Sequence, residues 1–199
     1  MTQTGALQAE ARAVLEYWFG APGAPEHGTQ RTLWFDKDDA VDREIAQRFG
    51  ALIEQALRGE LDAWAARPAG ALAQIIVLDQ FTRNAFRDTP RAFAGDARAL
   101  AAARALVEAQ LDAALTPIER SFVYLPFEHA ETLAMQDEAV RLFTRLVAVA
   151  PELQSGLDYA LRHRAIIARF GRFPHRNAVL GRLSTAEELA FLREPGSRF

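Results

Sequence analysis

Apolar residues recur at helical spacing along most of this chain. Over residues 6–19, Leu7, Val14, Leu15, Trp18 and Phe19 share one face of a predicted helix. The Pro/Gly-rich run at 21–28 breaks it. Leu33, Trp34 and Phe35 follow, an aromatic plug expected against that helix. Asp38 or Asp39 can cap a long helix running to about Leu57. Val41, Ile45, Phe49, Leu52, Ile53 and Leu57 lie on its apolar side, and Gly59 stops it. Leu61 to Ala66 reads as a short helical turn holding Trp64. Pro68 suits the first turn of the next helix, about 69–84. Its inward face, Leu72, Ile75 and Ile76, runs on at helical spacing into Asp79 and Arg83, with Gln80 and Asn84 as a second polar pair alongside.

Asp88-Thr89-Pro90 is a turn, and Asp96 to Glu108 an alanine-rich helix. Thr116-Pro117-Ile118-Glu119 combines an N-cap, a first-turn proline and a capping-box acid. Pro126 predicts either a kink or a new helix start. Leu133 to Val149 is a further helix, stopped by Pro151. Another helix leads up to Phe170, and Ser184 to Glu187 is expected to box a short terminal one. No segment alternates apolar and polar residues with β-branched enrichment, so no sheet is expected. The pattern predicts a single all-α domain over residues 1–199, about eight helices paired antiparallel. Segment 117–151 is at most a degenerate match to a helical repeat of about 34 residues.

Composition narrows the picture. The chain has no cysteine, which excludes a disulfide framework, a thiolate zinc site and a catalytic thiol. The N-terminal residues carry acids within their apolar pattern and no basic region, unlike a signal peptide. The longest weakly polar run, Ala69 to Leu78, is about half a membrane span. A cytoplasmic protein without membrane contact is the expectation. The net charge of −3 argues against a general nucleic-acid binder. There is no Gly-rich phosphate loop, nucleophile elbow or dinucleotide fingerprint.

Charge is concentrated at one place. Tyr159 to Arg182 carries six arginines, two histidines and no acid, a charge of +6 that leaves −9 for the remainder. Tyr159, Ile166, Ile167 and Phe170 put His163 on an inward stripe. Three polar clusters result: Asp79, Gln80, Arg83 and Asn84; Glu128, His129 and Glu131; and His163, Arg164, Arg169, Arg172, His175, Arg176 and Asn177. Each has two readings. Asp79 and Arg83 are an internal ion pair, or Arg83 forks onto a bound anion with Asp79 orienting it. Glu128 favours a helix N-terminus after Pro126, or belongs with His129 and Glu131 to an acid–base or metal set. His163 is a satisfied core histidine or lines a site. Asp79, Glu128, Glu131, His129, His163 and His175 are chemically reasonable metal ligands, but no tight metal spacing joins them, so no metal site is assigned.

The stretches VLDQFTRNAFRDTPRAFAGDARAL (77–100), ERSFVYLPFEHAETLAMQDEAVRLF (119–143) and HRAIIARFGRFPHRNAVLGRLSTAEELAFL (163–192), with VLEYWFG (14–20) and LWF (33–35), resemble the bacterial family known as domain-of-unknown-function nine-two-four. RFGRFPHRN is the most specific of these motifs. The resemblance covers nearly the whole chain and implies an all-α fold like that of tetratricopeptide-repeat proteins, with no activity to transfer. One departure is Ala130, where the resemblance implies a serine near His129.

Three functions follow as expectations. The first is binding of a small anionic ligand or acidic peptide end. Arg83, Arg164 and Arg172 would hold the anion, Asp79 and Glu131 would orient them, and His129 and His163 would line the floor. Gln80, Asn84, Glu128, His175, Arg176 and Asn177 complete the candidate ligand-binding set. The second is a hydrolase or other small-molecule enzyme using His129, His163 and Glu131 as acid–base groups, with the cofactor unknown. The third is a scaffold for a partner protein.

Overall fold

The computed structural model describes residues 7–34 and 36–197; residue 6 and Phe35 of the aromatic plug lie outside them. The fold is all-α: the described residues form helices, short 3-10 turns and no strand. They gather into two compact units. One comprises the chain up to Arg87 together with Arg91–Pro126, the other Asp88–Pro90 with the chain from Phe127 onward. Among the described residues, no helix is long and apolar enough to cross a membrane.

In the first unit, α1 (Ala9–Phe19) buries Val14, Trp18 and Phe19 as its pattern requires. Trp34 packs on Phe19 at 5.8 Å between ring centroids and donates its indole N–H to the Trp18 carbonyl at 2.8 Å. Asp38 caps α2 (Asp39–Arg58), accepting from the Ala40 N–H at 2.7 Å, and left-handed Gly59 (φ 84°) ends it. Next come α3 (Pro68–Ile75), a π-helical turn at Ile76–Phe81, and α4 (Thr82–Ala85), continuous with one another. This rod is central to the unit: α1 and α5 (Asp96–Glu108) pack on α3, and α2 packs on the π turn and α4. Every residue from Gly70 to Thr82 is therefore buried, not the single inward face that the spacing of Leu72, Ile75 and Ile76 predicts. A helix surrounded by neighbours has no outer side.

The π turn is held in place by side chains that reach its carbonyls. Thr82 Oγ1 donates to the Leu78 carbonyl at 2.8 Å, and Arg83 Nη1 to the Asp79 carbonyl at 2.6 Å. Gly95, just before α5, comes so close that a Cβ there would sit 2.0 Å from the Leu78 oxygen. The rings of Phe81 and Phe49 meet at 4.7 Å, and Trp18 packs on Phe81 at 5.5 Å. The unit ends within α6 (Pro117–Glu128), at Pro126; the helix is opened by the anticipated box, in which Glu119 Oε2 accepts from the Thr116 N–H at 2.8 Å.

Pro126 lies inside α6 and starts no new helix. Only two residues follow it there, so the hydrogen bond it forfeits falls in the final turn. Glu128 accordingly ends a helix, and its reading as an N-terminal acid is corrected. In the second unit α7 (Leu133–Val147) and α8 (Gln154–Phe170) pack along one another across the short connection at Pro151. Gly171 ends α8, and Pro174–Arg176 forms a 3-10 turn. Ile166, Ile167 and Phe173 make a core against which Phe170 and Phe191 pack. The terminal helix α9 (Ala186–Phe191) is boxed by Thr185 and Glu188, one residue later than the sequence suggests.

Two glycines test this packing. Gly95→Ala drives a methyl into the Leu78 backbone and is expected to destabilise by about 2 kcal/mol or more. For a chain of this length that is roughly 4–8 °C in Tm. Gly50→Ala lies within α2 with nothing within 4 Å of the new methyl. It is expected to stabilise by roughly 0.5–1 kcal/mol. Calorimetry of the two variants reads both signs; equal small effects would contradict the close approach at Gly95.

Candidate functional site

The first polar cluster sits on the π turn and α4. Asp79 is fully buried, and Arg83 meets it at 3.2 Å and Asp96 at 2.9 Å through the same nitrogen, Nη1. Gln80 donates to the second Asp79 oxygen at 2.5 Å. The two aspartates raise the Arg83 pKa against the burial that opposes them. Arg83 Nη2 is buried and meets no acceptor among the described residues. With two carboxylates already on this guanidinium, a further anion would face an excess of negative charge. Asn84 does not join this group: it donates to Asp42 at 2.8 Å, beside the fork that Arg87 makes onto the same carboxylate at 2.6 and 2.8 Å.

The second and third clusters come together in the second unit. Glu131 is gripped by Arg182 through both oxygens, at 2.6 and 2.9 Å, and also accepts the Phe173 N–H at 2.8 Å. Burial alone would raise the Glu131 pKa; the Arg182 fork and the Phe173 amide bring it below the ordinary value. Arg182 also donates to Asn177 Oδ1 at 2.9 Å. Glu188 takes a second fork, from Arg172 at 2.6 and 2.8 Å, together with the Thr185 N–H at 2.7 Å. Those bonds, Arg172 first, bring the Glu188 carboxyl down to about 2. The Asn177 amide bridges the network, donating to Ser184 at 3.0 Å and Glu188 at 3.3 Å. The RFGRFPHRN segment is thus tied to the chain on both sides by forked arginines. Arg164 stands apart, on the surface, paired with Asp137 at 2.6 Å.

Three imidazoles gather near Phe173. His163 contacts the Phe173 ring at 5.4 Å and the His129 ring at 6.3 Å; His175 lies 5.6 Å from Phe173. The Arg176 guanidinium stacks on Phe173 at 4.5 Å and donates to the His129 carbonyl at 3.1 Å. His163 Nδ1 lies 2.9 Å from the Tyr159 carbonyl and 3.0 Å from Glu128 Oε1. A proton on Nδ1 serves both acceptors and leaves the ring neutral. Burial, then the neighbouring His129, push His163 down to about 3, against the Tyr159 carbonyl. Burial and the Arg176 charge push His175 down to about 4. Below the cluster, Gln136 donates to the carbonyls of Glu128 at 2.6 Å and Ala130 at 2.8 Å, fixing the chain that follows α6.

These values constrain the chemistry. A general base works best with a pKa near the operating pH. An imidazole near 3 is a weak proton acceptor, which counts against His163 in that role. Among the described residues no three His, Asp or Glu side chains are grouped so as to hold a metal ion. Sequence reasoning passed over Arg182, Glu188, Gln136 and Asp96. Glu188 carried one signal, its place three residues after a capping threonine; Arg182 and Asp96 show themselves only through partners farther along the chain, and Gln136 through main-chain carbonyls across the α6–α7 turn.

A pH dependence follows. An imidazole whose folded pKa lies below 6.5 gives stability that is complete above 6.5 and is lost as pH falls toward the folded value. His163 and His175 should each remove about 1 kcal/mol between pH 8 and 5.5. The depressed carboxylates Glu131 and Glu188 act only further down, below about 4.5. Urea titrations across this range should show stability falling well before carboxylates protonate, with about half the slope in His175→Asn. A flat profile from pH 8 to 5.5 would contradict the buried neutral imidazoles.

A family model described as a bacterial protein of unknown function (DUF924) matches residues 14–196. No curated protein matches the chain. A solved structure, that of a protein of unknown function, ATU0120, from Agrobacterium tumefaciens, is similar at 37% identity with a TM-score of 0.81. The match covers 94% of this chain and 99% of that one. The motifs that tie the second unit together lie inside the matched span, and the chain belongs to the bacterial family DUF924.

Proposed function

We propose that this chain is a small-ligand-binding protein of the cytoplasm, which takes a small anion or an acidic peptide end at the cluster of His129, His163, His175 and Arg176. The observation that carries the reading is the gathering of two imidazoles, His163 and His175, and a buried guanidinium around one ring, Phe173, with the His129 ring beside His163. Arg176 is only 6% exposed, and its charge helps to depress both His163 and His175. A bound anion would offset that charge and accept hydrogen bonds from imidazole and guanidinium N–H groups. Of the neighbouring acids, Glu131 is engaged by Arg182 and Glu188 by Arg172, while Glu128 lies within the cluster against His163, which leaves the Arg176 and His175 side as the place for an anion. Of the arginines first considered for the anion, Arg172 and Arg83 act in this reading as ties within the fold, and Arg164 as a surface pair. His163, with its Nδ1 proton already given to Tyr159 and Glu128, lines the cluster through its ring, and His175, held neutral by burial, serves as a hydrogen-bond donor to the anion.

The test is a histidine titration followed by NMR, with and without inorganic phosphate or acetate as the probe. An anion at the cluster should raise the apparent pKa of His175 from about 4 by roughly one unit or more. The rise should vanish in Arg176→Met. A His175 titration indifferent to both probes at tens of millimolar would overturn the reading.

A further inference from the structure

A second feature of the molecule lies wholly within the first unit. An open recess of about 210 Å³ is lined by Asp62, Ala65, Gln74, Arg98, Ala101 and Ala102. It is smaller than the roughly 300 Å³ at which sites for drug-sized ligands begin. Its walls carry one charge of each sign and the methyl groups of three alanines.

Asp62 is held from behind, and Arg98 lies over a glycine. Gln74, only 4% exposed, donates its side-chain N–H to Asp62 Oδ1 at 2.9 Å. The Arg98 guanidinium lies over Gly59, where a Cβ would come within 2.8 Å of both Nη1 and Nη2. Gly59 is left-handed at φ 84°, so the helix cap and the seat for the guanidinium favour the same residue. Asp62 and Arg98 touch each other at one point only, at 3.5 Å. A tight charge-assisted pair is shorter, roughly 2.7–2.9 Å, and arginine commonly forks onto its carboxylate. Arg87 does so on Asp42 in this same unit, at 2.6 and 2.8 Å. The Asp62–Arg98 pair is loose by comparison, with Asp62 held by Gln74.

We propose that this recess binds a small zwitterion of the α-amino-acid type. The ligand ammonium meets Asp62, its carboxylate meets Arg98, and a short apolar side chain lies against Ala65, Ala101 and Ala102. A ligand with both charges completes both partners. A lone anion would be repelled by Asp62 and a lone cation by Arg98, and the alanines and small volume favour a short side chain.

Saturation-transfer NMR of the full chain with L-alanine, acetate and ethylamine tests this. L-alanine should show transfer, with each single-charge probe binding about tenfold more weakly or worse. Asp62→Asn and Arg98→Gln should each weaken L-alanine about tenfold. Ala101 is exposed, so Ala101→Phe can fill the recess without entering the core. It should abolish transfer while the far-ultraviolet circular dichroism stays that of the wild type. The proposal is overturned if L-alanine gives no transfer, if acetate or ethylamine matches it, if Asp62→Asn leaves its affinity unchanged, or if its signal survives Ala101→Phe.

Discussion

Taking carboxylates out of water is the constraint on which the rest of this structure depends. An uncompensated buried charge costs several kcal/mol, so each buried acid needs donors arranged around it. Both units meet that demand in the same way. Asp79 is met by Arg83 and Gln80 on the π turn. Glu131 is met by Arg182 and a main-chain N–H, and Glu188 by Arg172, Asn177 and another main-chain N–H. These pairs fix backbone as well as charge. Arg83 also caps a carbonyl of the π turn, and Arg182 donates to the Phe173 carbonyl at 3.1 Å. The irregular pieces of the fold, the π turn and the segment after α8, are the pieces that carry these ties.

That pattern accounts for the unusual charge of residues 159–182. Six arginines without an acid would repel one another as an isolated segment. In the folded chain Arg164, Arg169, Arg172 and Arg182 each face a carboxylate from outside the stretch. The pairs differ in worth. Arg164 and Arg169 lie on the surface, where such pairs contribute about 0–1 kcal/mol. Arg172 forks onto buried Glu188 and Arg182 onto half-buried Glu131, and losing them would cost more. The basic stretch is therefore mostly internal bracing, and Arg176, with the histidines, is the part for which a ligand role is proposed.

Much of the architecture was legible in the sequence. The helix of Asp39–Arg58, its Asp38 cap and its glycine stop follow from local chemistry, as does the Thr116 box, because caps act within four residues. Burial of His163 followed from its place on an apolar stripe. The π turn left no comparable mark: it depends on Gly95 and Asp96, which approach from elsewhere in the chain. The continuation of α6 through Pro126 was one of two readings open in the sequence, and it holds because a proline near a helix end breaks too little to force a stop. For the polar residues, identity was readable and partnership was not. Glu131 could be singled out as a candidate, but Arg182, which holds it, lies 51 positions away.

The account is most directly tested by native mass spectrometry of the purified protein beside its Arg176→Met variant, both in a volatile buffer with phosphate at low concentration. It predicts one phosphate retained per wild-type chain under conditions that strip non-specific adducts, and none on the variant. Identical spectra for the two proteins would contradict the assignment of the Arg176–histidine cluster as the ligand site.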